Sequence, residues 1–197
     1  MPKHRLQPKQ YLMAIQFSER LADTRLWIQS AQDLEDAAAI LESDIRRYWR
    51  EVKVVDGKVQ QALQRKSVQR QYLMLMAYAL ENYFKAILIH RNMDSPRNRV
   101  LSDLPSYIKS HDLVDLALKS DIQLNTDEEE LLSRLLRFST WAARYPVPTG
   151  PDSLAAAKEL SDGKTYLMAY YSQDDLNRVV LFADRLRKTA LKITGST

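Results

Sequence analysis

The sequence predicts an all-α protein, an antiparallel up-and-down bundle of four long helices with two or three short ones. Apolar residues recur at three- and four-residue spacing along most of the 197 residues, which is the period of an amphipathic helix. Glycine, which weakens helices, occurs only 4 times. Since no repeat or change in composition divides the sequence, we expect one domain over residues 1–197 with its core at about 8–193.

Three helices are predicted in the first half of the chain. Pro8–Ala22 is the first, and Trp27–Val54 is the second, with one apolar stripe along its length. A turn at Val55–Lys58 separates it from Gln60–Arg91, which is the most apolar segment. Because nearly all of its faces are apolar, we expect this third helix to be the central one.

The middle of the chain contains a loop, a short helix and a longer capped helix. The polar stretch Asn92–Pro105 predicts the loop, and Asp112–Lys119 predicts the short helix. Thr126 and Glu129 have the spacing of a capping box, in which Thr126 would cap the helix and Glu129 would accept from the backbone of Thr126. The helix that they open must end before Pro146.

The last part of the chain ends in a fourth long helix. Leu154–Leu160 is interpreted as a short helix and Asp162–Gly163 as a turn. Thr165–Tyr171 is compatible with a strand or with extended coil. Ser172 is a good N-cap for the last helix, Gln173–Ile193, which is acidic in its first turn and basic near its end, as the helix dipole favours.

The composition excludes several kinds of site. Without cysteine there is no disulfide framework and no thiolate zinc site. The scattered glycines cannot form a phosphate-binding loop, and His4, His90 and His111 lack the spacing of a helical zinc motif. The acidic run Asp127–Glu130 could bind a metal, but carboxylates at a helix N-terminus are favoured by the dipole alone. We therefore predict no metal and no cofactor.

Charge and hydropathy bear on partners and location. The net charge is +4, and residues 1–100 carry 17 Lys and Arg against 11 Asp and Glu. This excess permits an anionic partner but is well short of the dense basic stripe of a dedicated nucleic-acid binder. The longest apolar run, Tyr72–Leu80, is far below the ~20 residues of a membrane span. We expect a cytoplasmic protein with no membrane association.

Two charged residues interrupt the predicted central helix. Glu81 and Lys85 are the only charged residues between positions 73 and 89, and their spacing suits a helical ion pair. If the pair is buried it is costly and needs a pocket or further partners. If it lies at the rim of the bundle, Lys85 can extend to water instead.

Two other polar elements are candidates for a site. His111 and Asp112 begin the short helix, where they either cap it or place an imidazole near an anion. Arg144 and Tyr145 end the capped helix, where a cation is favourable without any function. Together with Trp141 they could also stack on a base and bind a phosphate.

Four short motifs follow one another in a defined order. They are W-x-x-x-A at Trp27–Ala31, E-x-x-x-K-A at Glu81–Ala86, S-H-D-L within Lys109–Leu113 and A-R-Y-P at Ala143–Pro146. With a further helix at Asp175–Ala190, they resemble the HEPN family of helical domains, which bind or act on nucleotides and RNA.

The HEPN resemblance implies an up-and-down helical bundle, a homodimer, and a small nucleotidyltransferase partner in a prokaryotic toxin–antitoxin or related system. Many members are metal-independent ribonucleases with an Arg-x(4–6)-His motif, in which the histidine is the general acid or base and the arginine stabilises the phosphate. Here Leu104, Pro105 and Ser106 occupy the positions where that arginine would precede His111, and no arginine is in register before His90. The sequence therefore departs from the catalytic motif.

The resemblance favours a binding or accessory module without catalysis. Such a module would recognise a nucleotide or nucleic-acid phosphate, or a nucleotidyltransferase partner. The candidate ligand-binding residues are Glu81, Lys85, His111, Asp112, Arg144 and Tyr145. The alternative is a metal-independent endoribonuclease of the toxin–antitoxin type, which would use His111 with an arginine from elsewhere, such as Arg144 or a residue of a second subunit.

Overall fold

The computed structural model describes residues 8–51, 53–55, 58–60, 68–93, 100–101, 103–145, 148, 150–151, 157–168 and 171–196. Within them lie six α-helices: α1 (Pro8–Ala22), α2 (Thr24–Glu51), α3 (Gln69–Asn92), α4 (Leu113–Lys119), α5 (Thr126–Arg137) and α6 (Gln173–Thr194). Two short hairpins pair β1 (Lys53–Val55) with β2 (Lys58–Gln60) and β3 (Ala157–Glu159) with β4 (Thr165–Leu167). The chain is thus mostly helical, and the predicted fold class is confirmed at that level.

Helix α3 is the centre of the fold, as predicted from its apolar sequence. It packs against α1, α2, α4, α5 and α6, and nearly every side chain from Tyr72 to Ile89 is buried. Helix α2 runs along it and contributes Ile28, Ala31, Ala38 and Ile45 to the core. Within the described residues, no helix has the length and apolar character needed to cross a membrane.

A hairpin replaces the predicted junction between the second and third helices. Helix α2 ends at Glu51, and Lys53–Val55 pairs antiparallel with Lys58–Gln60. The predictions that the second helix extends to Val54 and that the third begins at Gln60 are therefore wrong. The valines in both short segments favour strands over helix. The central dipeptide of the predicted turn, and residues 61–67, lie outside the described residues.

The capping box of α5 lies one residue earlier than predicted. The Asn125 side chain accepts a hydrogen bond from the Glu128 backbone at 2.9 Å, and the Glu128 carboxylate accepts one from the Asn125 backbone at 3.1 Å. Asn125 is an equally strong N-cap and has the extended backbone that a cap needs, so Thr126 becomes the first helical residue. The predicted cap of α6 is confirmed, since Ser172 and Asp175 form a complete capping box.

The predicted single helix up to Pro146 changes type at its end. Helix α5 stops at Arg137 and continues as a π-helical turn, Phe138–Ala142. The hydroxyl groups of Ser139 and Thr140 both donate to the Leu136 carbonyl, at 3.0 Å and 2.7 Å. Such side-chain bonds compete with the backbone pattern of an α-helix. π-Helical turns frequently lie at functional sites.

The predicted short helix at Leu154–Leu160 is wrong where the structure describes it. Ala157–Glu159 is a strand that pairs with Thr165–Leu167. The sequence of Thr165–Tyr171 is compatible with a strand or with extended coil, and the first part of this segment is therefore a strand. Gly163 turns the chain between them with φ of +74°, a conformation that glycine adopts at little cost. Residues 152–156 and 169–170 lie outside the described part of the chain.

Candidate functional site

A buried ion pair lies on α3. The Lys85 Nζ atom is 2.6 Å from Glu81 Oε1, and the two side chains are only 7% and 9% exposed. The pair is thus inside the protein rather than at the rim, so the alternative in which Lys85 extends to water is wrong. Removing two charges from water is expensive, and the attraction between them repays this only with good geometry and additional hydrogen bonds.

His111 supplies an additional hydrogen bond to this pair. Its Nδ1 atom lies 3.0 Å from the same oxygen of Glu81 that contacts Lys85, while its own side chain is 66% exposed. A carboxylate that is ionised beside a lysine can only accept, so Nδ1 carries a proton and donates it. The imidazole is therefore fixed on its inner side by a buried carboxylate, and Nε2 makes no hydrogen bond within the described residues.

The carboxylate of Glu81 is not saturated. Both contacts, with Lys85 and with His111, are to Oε1. The other oxygen, Oε2, is buried and accepts no hydrogen bond from any residue that the structure describes. Buried polar atoms usually have partners, and an exception calls for a reason such as a role in binding or catalysis.

Asp112 holds the histidine in place through the backbone. It is the N-cap of α4, and its carboxylate accepts from the backbone of Val114 at 2.9 Å and of Asp115 at 3.2 Å. The capping interpretation of His111–Asp112 therefore holds for Asp112, whereas His111 contacts Glu81. This cap fixes the backbone at the start of α4. It therefore also fixes the position of His111, the residue that precedes Asp112.

Arg144 and Tyr145 pair with each other at the end of the π-helical turn. The Arg144 guanidinium donates to the Thr140 carbonyl at 2.6 Å and lies 5.4 Å from the centre of the Tyr145 ring. Both side chains are exposed. In the described part of the chain, neither forms a bond with Glu81, Lys85 or His111, so the six candidates form two groups rather than one.

The π-helical turn packs against the face of α3 that carries the ion pair. Tyr78 lies one turn before Glu81 and two turns before Lys85, on one side of the helix. Its hydroxyl donates to the Ser139 carbonyl of the π-helical turn at 2.9 Å. The turn that leads to Arg144 is therefore packed against the helix that carries the buried ion pair.

A second buried charge cluster, between α5 and α6, was not predicted. Arg134 donates two hydrogen bonds to Asp175, at 2.8 Å and 2.6 Å, and both side chains are at most 4% exposed. Burial opposes ionisation of Asp175, but the bonds from Arg134 and the Ser172 backbone outweigh it and lower the pKa of Asp175 to about 2. Glu130 and Arg178 complete the cluster. It is a link between two helices, and none of its members is well exposed.

Two carboxylates of the acidic run at the start of α5 pair with residues from other segments. Glu128 pairs with Arg185 at 2.7 Å, and Glu129 accepts from the Ser161 hydroxyl. Within the residues that the structure describes, no three His, Asp or Glu side chains lie close enough to hold a metal ion. Sequence inspection could not find these partners, because they come from segments that are distant along the chain.

Comparisons with known proteins leave the family open. No family model, no curated protein and no solved structure matches the chain. The HEPN resemblance therefore rests on the sequence motifs alone, and the geometry around Glu81, Lys85 and His111 must carry any functional inference.

Proposed function

We propose that the protein is a HEPN-like binding module that holds the phosphate of a nucleotide or nucleic acid on the exposed imidazole of His111. The observation that carries this proposal is the pairing of an exposed histidine with a carboxylate that is only 9% exposed and is itself paired with Lys85. A histidine at a random surface position needs no such support. Here a costly buried pair lies directly beneath the imidazole.

Glu81 and Lys85 act in this proposal by positioning the imidazole. Their charges face each other and are shielded from solvent, so the exposed atoms belong to His111. Arg144 and Tyr145 provide a second contact, because an exposed guanidinium beside an aromatic ring can bind a phosphate and stack on a base. Asp112 contributes the cap that fixes His111.

In this mode the imidazole contacts the phosphate through Nε2. A phosphate oxygen only accepts hydrogen bonds, and Nδ1 already donates to Glu81, so Nε2 must also be protonated when phosphate is bound. The proposal therefore requires both ring nitrogens of His111 to donate in the complex, Nδ1 to Glu81 and Nε2 to the phosphate.

We expect His111→Ala to weaken binding of an RNA dinucleotide by about tenfold or more, since a charge-assisted hydrogen bond is lost. The measurement is a binding titration of each protein with the same dinucleotide under identical buffer conditions. His90→Ala, at an exposed histidine of α3, is the matched control and should bind like wild type. Equal affinity in wild type and His111→Ala would contradict the proposal.

A metal-independent endoribonuclease is the second candidate. One observation favours it: an imidazole whose Nδ1 is anchored by a carboxylate, with Nε2 left to take a proton, has the arrangement of a general base. Arg144 or an arginine of a second subunit would have to supply the phosphate contact. The resemblance also implies a homodimer and a nucleotidyltransferase partner, which remain part of the proposal.

RNA cleavage distinguishes the two candidates. A binding module leaves labelled single-stranded RNA intact in buffer with EDTA, and this is the result that we expect. Cleavage that is lost in His111→Ala and retained in His90→Ala would instead establish His111 as a catalytic residue.

A further inference from the structure

A shallow recess lies at the corner where α1 meets α2, with Asn82 of α3 at its edge. It has a volume of about 270 Å³, close to the lower end of ligand pockets. Its lining residues are Phe17, Arg20, Leu21, Leu26, Trp27, Ser30 and Asn82. Most of this lining is apolar, with four large apolar side chains around the recess.

Three polar side chains of the recess form hydrogen bonds within the protein, and one cation does not. The Trp27 indole donates to the Leu21 carbonyl at 3.0 Å, and the Asn82 amide donates to the Ser30 hydroxyl at 3.2 Å. The guanidinium of Arg20 forms no hydrogen bond or ion pair with any described residue. The recess therefore presents apolar walls and one uncompensated positive charge.

The exposed side of α1 continues the recess. Lys9, Met13, Phe17 and Arg20 follow one another at three- and four-residue spacing and so form one stripe along the helix. Met13 is 58% exposed, and Leu26 at the start of α2 is 47% exposed. The stripe has apolar residues in the middle and a cation at each end, over a length greater than a small molecule would cover.

We infer that this stripe and recess dock an acidic amphipathic helix of a partner protein. Apolar side chains of that helix would fill the recess against Phe17 and Leu26, and its carboxylates would pair with Lys9 and Arg20. A second copy of this chain fits less well, because a two-fold contact along the stripe brings Lys9 against Arg20 of the other copy. A membrane surface fits less well too, since a flat surface leaves the recess unfilled.

Two model peptides test this inference. Both form an amphipathic helix of about four turns with the same leucine face, and one carries glutamate and the other lysine on the remaining positions. We expect the labelled acidic peptide to bind and the basic peptide to bind at least about tenfold more weakly. Arg20→Glu should reverse this preference, and Phe17→Asp should weaken binding of the acidic peptide by about tenfold or more.

Controls separate docking from damage to the fold. Val180→Asp changes an apolar residue of α6 that is 39% exposed, against 37% for Phe17, and should leave peptide binding unchanged. Thermal melting of each variant checks that it is folded. The inference is overturned if the two peptides bind alike or not at all, if anionic lipid vesicles bind the protein while the acidic peptide does not, or if Phe17→Asp converts a dimer of the protein alone into a monomer.

Discussion

Asp175→Ala should be among the most destabilising single substitutions in this protein, lowering the free energy of unfolding by about 3–5 kcal/mol. It leaves the Arg134 guanidinium buried without its bidentate partner and removes the second half of the capping box of α6. For a chain of this size, such a loss corresponds to a fall in Tm of about 10 °C. Urea denaturation monitored by circular dichroism measures it directly.

Asp184→Ala is the matched control, on the same helix. Asp184 also pairs with two cations, Arg187 and Lys188, but at the surface, where such pairs contribute less than about 1 kcal/mol. If both substitutions cost the same, the cluster around Asp175 is not a buried link.

The stability of the wild-type protein should also decline in acid. Because the pKa of Asp175 is lowered in the folded state, its contribution is fully present above about pH 4 and is lost as the pH falls toward 2. Asp175→Ala should therefore lose less stability over that interval than the wild type. An equal loss in both proteins would show that other carboxylates account for the acid sensitivity.

Lys85→Ala should be destabilising by a similar amount, about 3–5 kcal/mol, because it leaves the Glu81 carboxylate buried and without its cation. The double variant Glu81→Leu/Lys85→Met should instead recover stability to within about 1 kcal/mol of wild type, since an apolar pair of similar volume avoids the cost of burying charge. Thermal and urea denaturation of the three proteins would measure both effects.

The pair Asp115 and Lys119 provides the control for Lys85→Ala. It has the same spacing along a helix and the same 2.6 Å distance between Lys119 Nζ and the Asp115 carboxylate, but both side chains are more than a third exposed. Lys119→Ala should cost less than about 0.5 kcal/mol. A large effect there, or a double variant that is no more stable than Lys85→Ala, would contradict the role assigned to burial.

Helix periodicity was sufficient to predict the main helices of the fold. The apolar stripe of α2 and the nearly uniform apolar character of α3 correctly indicated two long helices and the central position of α3. The predicted and observed elements differ where two local conformations, or two possible cap residues, have similar free energies. Asn125 and Thr126 are both good caps, and the valines around residue 54 suit a strand once a pairing partner follows within a few residues.

Other features depend on contacts that are distant in sequence. The π-helical turn at Phe138–Ala142 involves two hydroxyl groups bonded to one carbonyl, and no periodicity predicts that choice. The Arg134–Asp175 link joins residues 41 positions apart. Neither residue stood out in the sequence, because charged residues near the ends of amphipathic helices are common.

The contacts among the candidate residues were predictable in part. Glu81 and Lys85, the two charges in an otherwise apolar helix, form the ion pair that their spacing predicted. The residue that contacts Glu81 in the structure, His111, was also among the candidates. The sequence could not show that Lys85 is enclosed, that Asp112 is used as a cap, or that Arg144 and Tyr145 pair with each other. Those outcomes depend on how α4 and the π-helical turn pack on α3.

The most direct test of the account is to record the imidazole nitrogen resonances of His111 by NMR while an RNA dinucleotide is added to ¹⁵N-labelled protein. The account predicts saturable shifts at His111 in the wild type, none at His90, and loss of the His111 shifts in Glu81→Leu/Lys85→Met although that variant is folded. His111 resonances that do not move, or that move equally in the double variant, would contradict the claim that the buried pair holds this histidine for phosphate.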